Sequence, residues 1–548
     1  MLDCVVVGFN EREFDIEVAE ARASGEASVA FSDMRLAYLE HDNRSLRALD
    51  VINMLRTEPV AGASGPLSNA DFMWPVVLIL RTALHRGGLS SDHVNLIARE
   101  KRKVARLLTT QSPRAVAITT TLYVSHEAIV EVTRFVRRYN RKTRIILGGP
   151  YIANNFRRLE PSRRVELYEY LRADYYVTCA EGEATLVSLV GELASGDPHM
   201  STIPNLALRD GDGFVETAAR VEDNVVSTPV DYDLFPPEAF NAFLSVRTAK
   251  SCPFSCSFCA FPQQSGAYTY LDVADVEREL DKTAGLGVKT LSFIDDTFNV
   301  PKNRFRDILR MMIADDYGFR WNSFYRSDHG DRETIELMAR SGCEGVFLGV
   351  ESGSDTILAM MNKRSRQRHY REAIRALRDF DILSHASLII GFPGETAATV
   401  AETETFLVEA RPDTFRSQVW YADPGTPIWD RRDEVGLVGI GFEWSHWTMS
   451  STEAADVVDD IMATTLGSAW LPQAGFEQWS LFYLLRLGMP RPQLMSFLHE
   501  FRACLTAQMT SGSRSIEPFR LERLRELSQF GCASSEDATM SAKEVNHA

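Results

Sequence analysis

Three cysteines in one short run set the chemistry open to this chain. Cys252-Pro-Phe-Ser-Cys256-Ser-Phe-Cys259 places Cys252, Cys256 and Cys259 at CxxxCxxC spacing, so three thiolates share one tight loop. A closed structural zinc site takes four ligands, and three are too few for it. Iron–sulfur clusters are held by Cys thiolates, and a [4Fe–4S] cluster bound by three of them keeps one iron open for a further ligand. Phe258, just before the third cysteine, supplies apolar cover. Three clustered but inert cysteines are the alternative, and the motifs downstream argue against it.

CxxxCxxC with an aromatic residue before the last Cys resembles the radical S-adenosylmethionine (SAM) enzymes. The resemblance implies that the open iron chelates the amino and carboxylate groups of SAM, and that an electron from the cluster breaks the sulfonium to give a 5′-deoxyadenosyl radical.

Bulk properties bound the setting. The 548 residues carry a net charge of -16 and are 45% hydrophobic. That length predicts two to four domains, and the charge argues against a general nucleic-acid surface. No apolar run reaches the roughly 18 residues of a membrane helix. The opening Met-Leu-Asp-Cys-Val-Val-Val-Gly lacks a basic segment and reads as a buried strand, not a signal peptide. Eight cysteines, five of them scattered, do not make a disulfide framework. A reducing cytoplasm and a monomer are the expectation.

The loop must be delivered by a sheet, and a strand series follows from Phe243. Strands are legible at 243–251, 289–298, 319–328, 345–352, 385–392 and 414–422, with amphipathic helices between. Six β/α units predict an open (β/α)6 partial barrel over 241–428, with its chemistry at the carboxyl ends of the strands. SAM then has candidate partners there. Asp295 or Asp296 would accept from its ammonium, and Arg326, in Tyr325-Arg326-Ser327-Asp328, would pair with its carboxylate. Glu351 and Ser352 match the family's ribose-contacting motif, and Gly391, in Gly391-Phe-Pro-Gly394-Glu395, its adenine-binding motif. The Glu of that motif is displaced by one residue from the commonest form.

The first 200 residues also alternate strand and helix, with strands at 4–8, 93–97, 115–121, 144–150 and 175–178; residues 11–70 read as helical with turns. Five such strands predict a doubly wound parallel sheet with its ligand beyond the carboxyl ends. The candidate rim is Gly8, Phe9 and Asn10; Thr119, Thr120 and Thr121; Gly148, Gly149, Pro150 and Tyr151; and Glu181, Gly182 and Glu183. A hairpin and linker fill 201–240, with turn chemistry at Asp210-Gly-Asp-Gly213. Residues 429–533 read as an aromatic-rich helical domain capping the site, and 534–548 as a disordered tail. Tyr325, Tyr421, Trp444 and His446 are candidate substrate walls, with Trp447 beside them.

A doubly wound sheet just before a radical SAM motif resembles the cobalamin-binding domain of the class B radical SAM methyltransferases. DxHxxG, whose His ligates cobalt in many B12 proteins, is absent, and class B enzymes usually lack it too. Asn69-Ala-Asp-Phe-Met-Trp-Pro, Ile118-Thr-Thr-Thr-Leu-Tyr-Val and Gly148-Gly-Pro-Tyr-Ile-Ala-Asn resemble one branch, that of phosphinate P-methyltransferases and the tryptophan C2-methyltransferase. The branch implies cobalamin, carrying the methyl group as methylcobalamin, and transfer to an unactivated carbon or a phosphinate phosphorus of a small-molecule or peptide substrate in antibiotic biosynthesis. It also implies an electron donor such as flavodoxin or ferredoxin. In the tryptophan enzyme a carboxylate occupies the open iron, and Asp272 or Asp275 is the candidate here. The alternatives are a cobalamin-dependent rearrangement or oxidation without methylation, a radical SAM enzyme without B12, and a non-enzymatic cluster protein. Strand polarity predicts that the two rims face each other across one shared cavity.

Overall fold

The computed structural model describes residues 2–60, 65–68, 72–123, 125–195, 199–211, 213–222, 229–240, 243–472 and 478–531. The tail at 534–548 lies outside them.

The β-branched run Cys4–Phe9 forms β1, and Val5, Val6 and Val7 are fully buried at the centre of a sheet. Around it stand β2 (Ser91–Leu96), β3 (Ala115–Thr119), β4 (Arg144–Gly148) and β5 (Tyr175–Val177), all parallel, in the order β2-β1-β3-β4-β5. The chain leaves β1 to one side for β2 and returns on the other for β3. Their junction is thus the switch point at which open α/β sheets bind ligands. The hairpin β6 (Leu206–Asp210) and β7 (Gly213–Glu216) adds antiparallel to β5, so it belongs to this sheet and not to a connecting segment.

Residues 229–240 are a packed bridge instead of a loose linker. Tyr232, Phe235 and Phe240 are buried, and Asp231 pairs with Arg86 of the first domain. Residues 38–47 hold a hairpin, Tyr38–His41 with Arg44–Arg47, where helix was expected. Asp42 and Asn43 both take positive φ, 49° and 59°, the signature of a two-residue I′ turn.

The second sheet runs in chain order: β8 (Phe243–Val246), β9 (Thr290–Phe293), β10 (Arg320–Tyr325), β11 (Cys343–Glu351), β12 (Leu383–Ile390), β13 (Thr414–Val419) and β14 (Ala469–Trp470), every pair parallel. The seventh strand comes from beyond the expected barrel. β8 and β14 form the two edges, which leaves the barrel open.

The aromatic run at 442–449 is a second departure. It forms an antiparallel sheet, Val438–Ile440, Glu443–His446 and Met449–Ser450, not a helix. Glu443 to His446 alternate exposed and buried, a period of two that puts Trp444 and His446 inward. Helices follow at Ser451–Thr464, Gln478–Arg486, Arg491–Ser511 and Pro518–Leu527. They reach back to the start of the chain: Gln508 exchanges two hydrogen bonds with the Glu40 backbone, and Gln529 donates to Leu55 O. Among the described residues no helix is long and apolar enough to cross a membrane.

Candidate active site

β8 ends at Val246, and the five residues after it lead into the cysteine loop. Asp295, 1% exposed at the end of β9, accepts from Thr248 N–H at 2.6 Å and Ala249 N–H at 2.9 Å, and from the Thr248 hydroxyl. Arg304 holds the same Thr248 from the other side. Asp295 is therefore committed to aiming the loop, which corrects its expected place as a SAM partner.

Cys256 is buried, and Cys252 and Cys259 are half-buried. Burial raises the Cys252 and Cys259 thiols, Cys259 to about 11, with the neighbouring thiols adding to the effect. Backbone N–H groups of Phe254 and Phe261 work the other way, favouring thiolate at Cys252 and Cys259. Among the described residues no three His, Cys, Asp or Glu side chains converge to hold a single ion. A mononuclear site needs its sulfurs about 2.3 Å from one point, whereas a cluster takes each thiolate on a separate iron. Three electrostatically coupled thiols on one loop, two of them facing N–H donors, fit the cluster.

Two cations brace the loop. Arg326 lies 3.6 Å over the Phe254 ring and makes a two-pronged pair with Asp328 at 3.1 Å. Lys363, which no motif marked, pairs with Glu351 at 2.6 Å and lies 5.8 Å from the Phe258 ring. Glu351 holds a left-handed φ of 64°. Ser352 is buried and caps the turn locally, accepting from Ser354 N–H. Ser327 and Ser354, just past the ends of β10 and β11, keep buried hydroxyls without a partner, which fits a polar, hydroxyl-bearing ligand at these strand ends.

Gly391 ends β12 with φ 89°, and a Cβ there would meet Trp444 at 2.5 Å. Trp444 stacks on His446 at 5.1 Å, and His446 Nε2 pairs with Gly391 O at 3.1 Å. Trp444 and His446 thus build this turn and are not substrate walls.

The rims of the two sheets meet in a cavity of about 600 Å³. Thr119, Thr121, Gly148, Gly149 and Pro150, with Glu181, Gly182 and Glu183, wall it from the first sheet; Ser245, Arg247, Lys250, Ser251, Asp296 and Phe324 wall it from the barrel. Glu181 and Lys250 join across it at 3.1 Å. Burial pushes the Glu183 and Asp296 carboxyls up to about 7, and Arg247 opposes this in both. Asp296 also feels Cys252 and Cys259, so it faces the cysteine loop. Trp74 and Trp479 present buried indole N–H groups with no partner, and Phe72 touches both rings. Sequence patterning missed these two because they come from opposite parts of the chain. Orphaned donors in an apolar wall fit a large ligand rich in amide carbonyls, such as cobalamin. No histidine lines the cavity among the described residues.

Several expected residues serve packing instead. Gly8 lies against Asn95 O, where a Cβ would come to 2.5 Å. Phe9 packs on Trp74 and Tyr123, and Asn10 donates to Ala128 O and Glu131. Thr120 donates to Gly148 O, so it shapes the rim without lining the cavity, and Tyr151 does not line it either. Tyr325 is one strand position out of phase: its neighbour Phe324 lines the cavity, while Tyr325 points to Gly330. Tyr421 is 55% exposed against Phe442, and the exposed Trp447 lies against Gly436. Asp272 caps the helix Val273–Gly285 by accepting from Asp275 N–H, and Asp275 pairs with Arg278, so both carboxylates are engaged at the start of that helix.

Residues 246–407 match the radical SAM superfamily. The chain is 27% identical over 354 residues to an uncharacterized methyltransferase of Pyrococcus horikoshii, covering 63% of this chain and 74% of the relative. It is 28% identical over 405 residues to the anaerobic magnesium-protoporphyrin IX monomethyl ester cyclase of Cereibacter sphaeroides, covering 68% and 62%. In structure it resembles the radical SAM methyltransferase TsrM from Kitasatospora setae with cobalamin and a [4Fe–4S] cluster bound, at TM-score 0.55 and 17% identity over 85% of this chain and 98% of that one. It also resembles the cobalamin-dependent SAM radical enzyme OxsB, at TM-score 0.58 and 14% identity over 98% and 78%. Residues 246–407 thus match a radical SAM domain, and the overall fold of the chain is that of TsrM and OxsB.

Proposed function

We propose that this protein is a cobalamin-dependent radical SAM methyltransferase that moves a methyl group from SAM to an unactivated carbon or a phosphinate phosphorus. The observation that carries the reading is the single cavity walled by both sheet rims, with the cysteine loop at its edge. Cys252, Cys256 and Cys259 would hold a [4Fe–4S] cluster, with Phe258 as cover. Asp296, Glu351, Ser352 and Gly391 are offered to SAM, and Thr119, Thr121, Gly148, Gly149, Pro150 and Glu181 to Glu183 to cobalamin. When bound, the cluster and SAM supply one-electron chemistry, and cobalamin a carrier for the methyl group.

The residues themselves bind, orient and exclude water. Trp74, Phe72 and Trp479 dry the cavity, and Glu181 with Lys250 holds its two walls together. Where the donor's electrons drive the reaction, the hydrogen leaves as an atom and needs no base; where no net electron is consumed, methylation of a C–H or P–H bond releases one proton. The unpartnered Oε2 of Glu183, with its carboxyl near 7, can take it. The substrate is a small molecule or a peptide of antibiotic-type metabolism. Electrons come from a flavodoxin or ferredoxin, and the enzyme works as a cytoplasmic monomer.

The test is anaerobic turnover with methyl-labelled SAM and candidate phosphinates, indoles and peptides. Label should enter the product, and the triple Ala variant of the three cysteines should lose its iron. Release of an unmethylated product would overturn methyl transfer in favour of a rearrangement or oxidation. Purified protein that takes up a cluster but no cobalamin would overturn the B12 reading.

A further inference from the structure

The cysteine loop is gripped by a segment far along the chain. Ser257 N–H donates to Met361 O at 2.8 Å, and Asn362 Nδ2 donates to Ser255 O at 2.8 Å. Asn362 takes a left-handed φ of 50°, so the backbone turns as it reaches Lys363. The Lys363 side chain is 7% exposed, faces Phe258 and is within electrostatic reach of Cys256. Its ammonium is held by Glu351 Oε1 and by Gly349 O. Glu351 is itself kept in a backbone conformation that costs a non-glycine residue of order 1–3 kcal/mol, persisting where the surroundings over-determine it.

A buried ammonium beside a cluster favours the form with one more electron, because attraction between unlike charges is weakly screened away from water. Potentials of iron–sulfur clusters follow net charge, hydrogen bonds to sulfur and exposure. Resting on the cluster reading above, we propose that Lys363, set in place by Glu351, is a positioning residue that raises the reduction potential of the cluster held by Cys252, Cys256 and Cys259. In the step concerned, one electron from a low-potential donor enters the cluster, no bond forms or breaks, and the Lys363 charge offsets the added negative charge.

The experiment is a mediated redox titration of the anaerobically reconstituted protein without SAM, with the reduced cluster followed by electron paramagnetic resonance. Lys363→Met should lower the reduced-to-oxidised ratio at the wild-type midpoint about tenfold, 59 mV for one electron. Glu351→Gln should shift the midpoint the opposite way, the double variant should return toward wild type, and Lys363→Arg should stay near it. A merely structural Lys363 would not give this sign reversal. An unshifted midpoint in Lys363→Met with its cluster intact overturns the inference. If that variant loses its cluster, Glu351→Gln decides, and a midpoint that is unshifted or lowered there overturns it too. A wild-type protein that takes up no cluster overturns the cluster reading itself, a separate failure visible before any variant is made.

Discussion

Glu181 Oε1 and Lys250 Nζ lie 3.1 Å apart, joining the rim of the first sheet to the approach of the cysteine loop, with side chains 16% and 17% exposed. Removing one partner leaves a mostly buried charge without its counterpart, which costs more than the loss of a surface pair. Lys250→Met is expected to speed amide hydrogen exchange at both 180–182 and 249–251 by about 5- to 30-fold, corresponding to roughly 1–2 kcal/mol. Exchanging the charges, Glu181→Lys with Lys250→Glu, should restore much of the protection. Unchanged exchange on the Glu181 side would show that the pair does not hold the walls together.

Trp74 lines the cavity and keeps a buried N–H without a partner. Trp74→Phe keeps most of the apolar surface and removes the donor. Titration with aquacobalamin, followed by absorbance, should show affinity weaker by about 3–10-fold, the worth of one hydrogen bond. Equal affinity would place the ligand's acceptors elsewhere.

Glu395 is fully buried, and burial pushes its carboxyl up to about 7, against partial relief from the Gly391 and Phe392 N–H groups. Its unfolded counterpart titrates near 4.5. Below that pH both states hold the proton. Between about 4.5 and 7 the folded chain binds more protons, so stability falls as pH rises, by roughly 3 kcal/mol in all, and then levels off. Glu395→Gln should match wild type in thermal midpoint near pH 4.5 and exceed it at pH 8. A difference independent of pH would count against a buried, protonated Glu395.

Gly391→Ala should be severe. The left-handed φ of 89° disfavours a side chain, and its Cβ would meet Trp444 at 2.5 Å and Ala454 at 2.7 Å. Backbone strain and overpacking together predict a loss of about 2–5 kcal/mol. Gly285→Ala, with nothing within 4 Å, is the control and should be neutral or slightly stabilising by thermal denaturation.

The parts of the site legible in the sequence are local. CxxxCxxC, the strand-end glycines and the alternation of strands and helices are patterns within a few residues of each other, and the two rims meet as strand polarity requires. What was not legible depends on distant pieces meeting. Lys363 gains its place by facing Phe258, and Trp74 and Trp479 by facing one cavity. Strand phase was the other limit: Tyr325 and Phe324 differ by one position, and period-two geometry sends them to opposite faces. Asp295 looked free because its partners, Thr248 and Ala249, belong to the preceding strand's exit.

The hydrogen bonds between Gln508 and Glu40 span 468 residues of chain. At translation rates of about 5–20 residues per second, Glu40 leaves the ribosome roughly 25–90 s before its partner exists. Through that interval the hairpin around it has one side with no neighbour. A cell making this protein must shelter that side or tolerate its exposure, so yield should respond to growth temperature and chaperone supply.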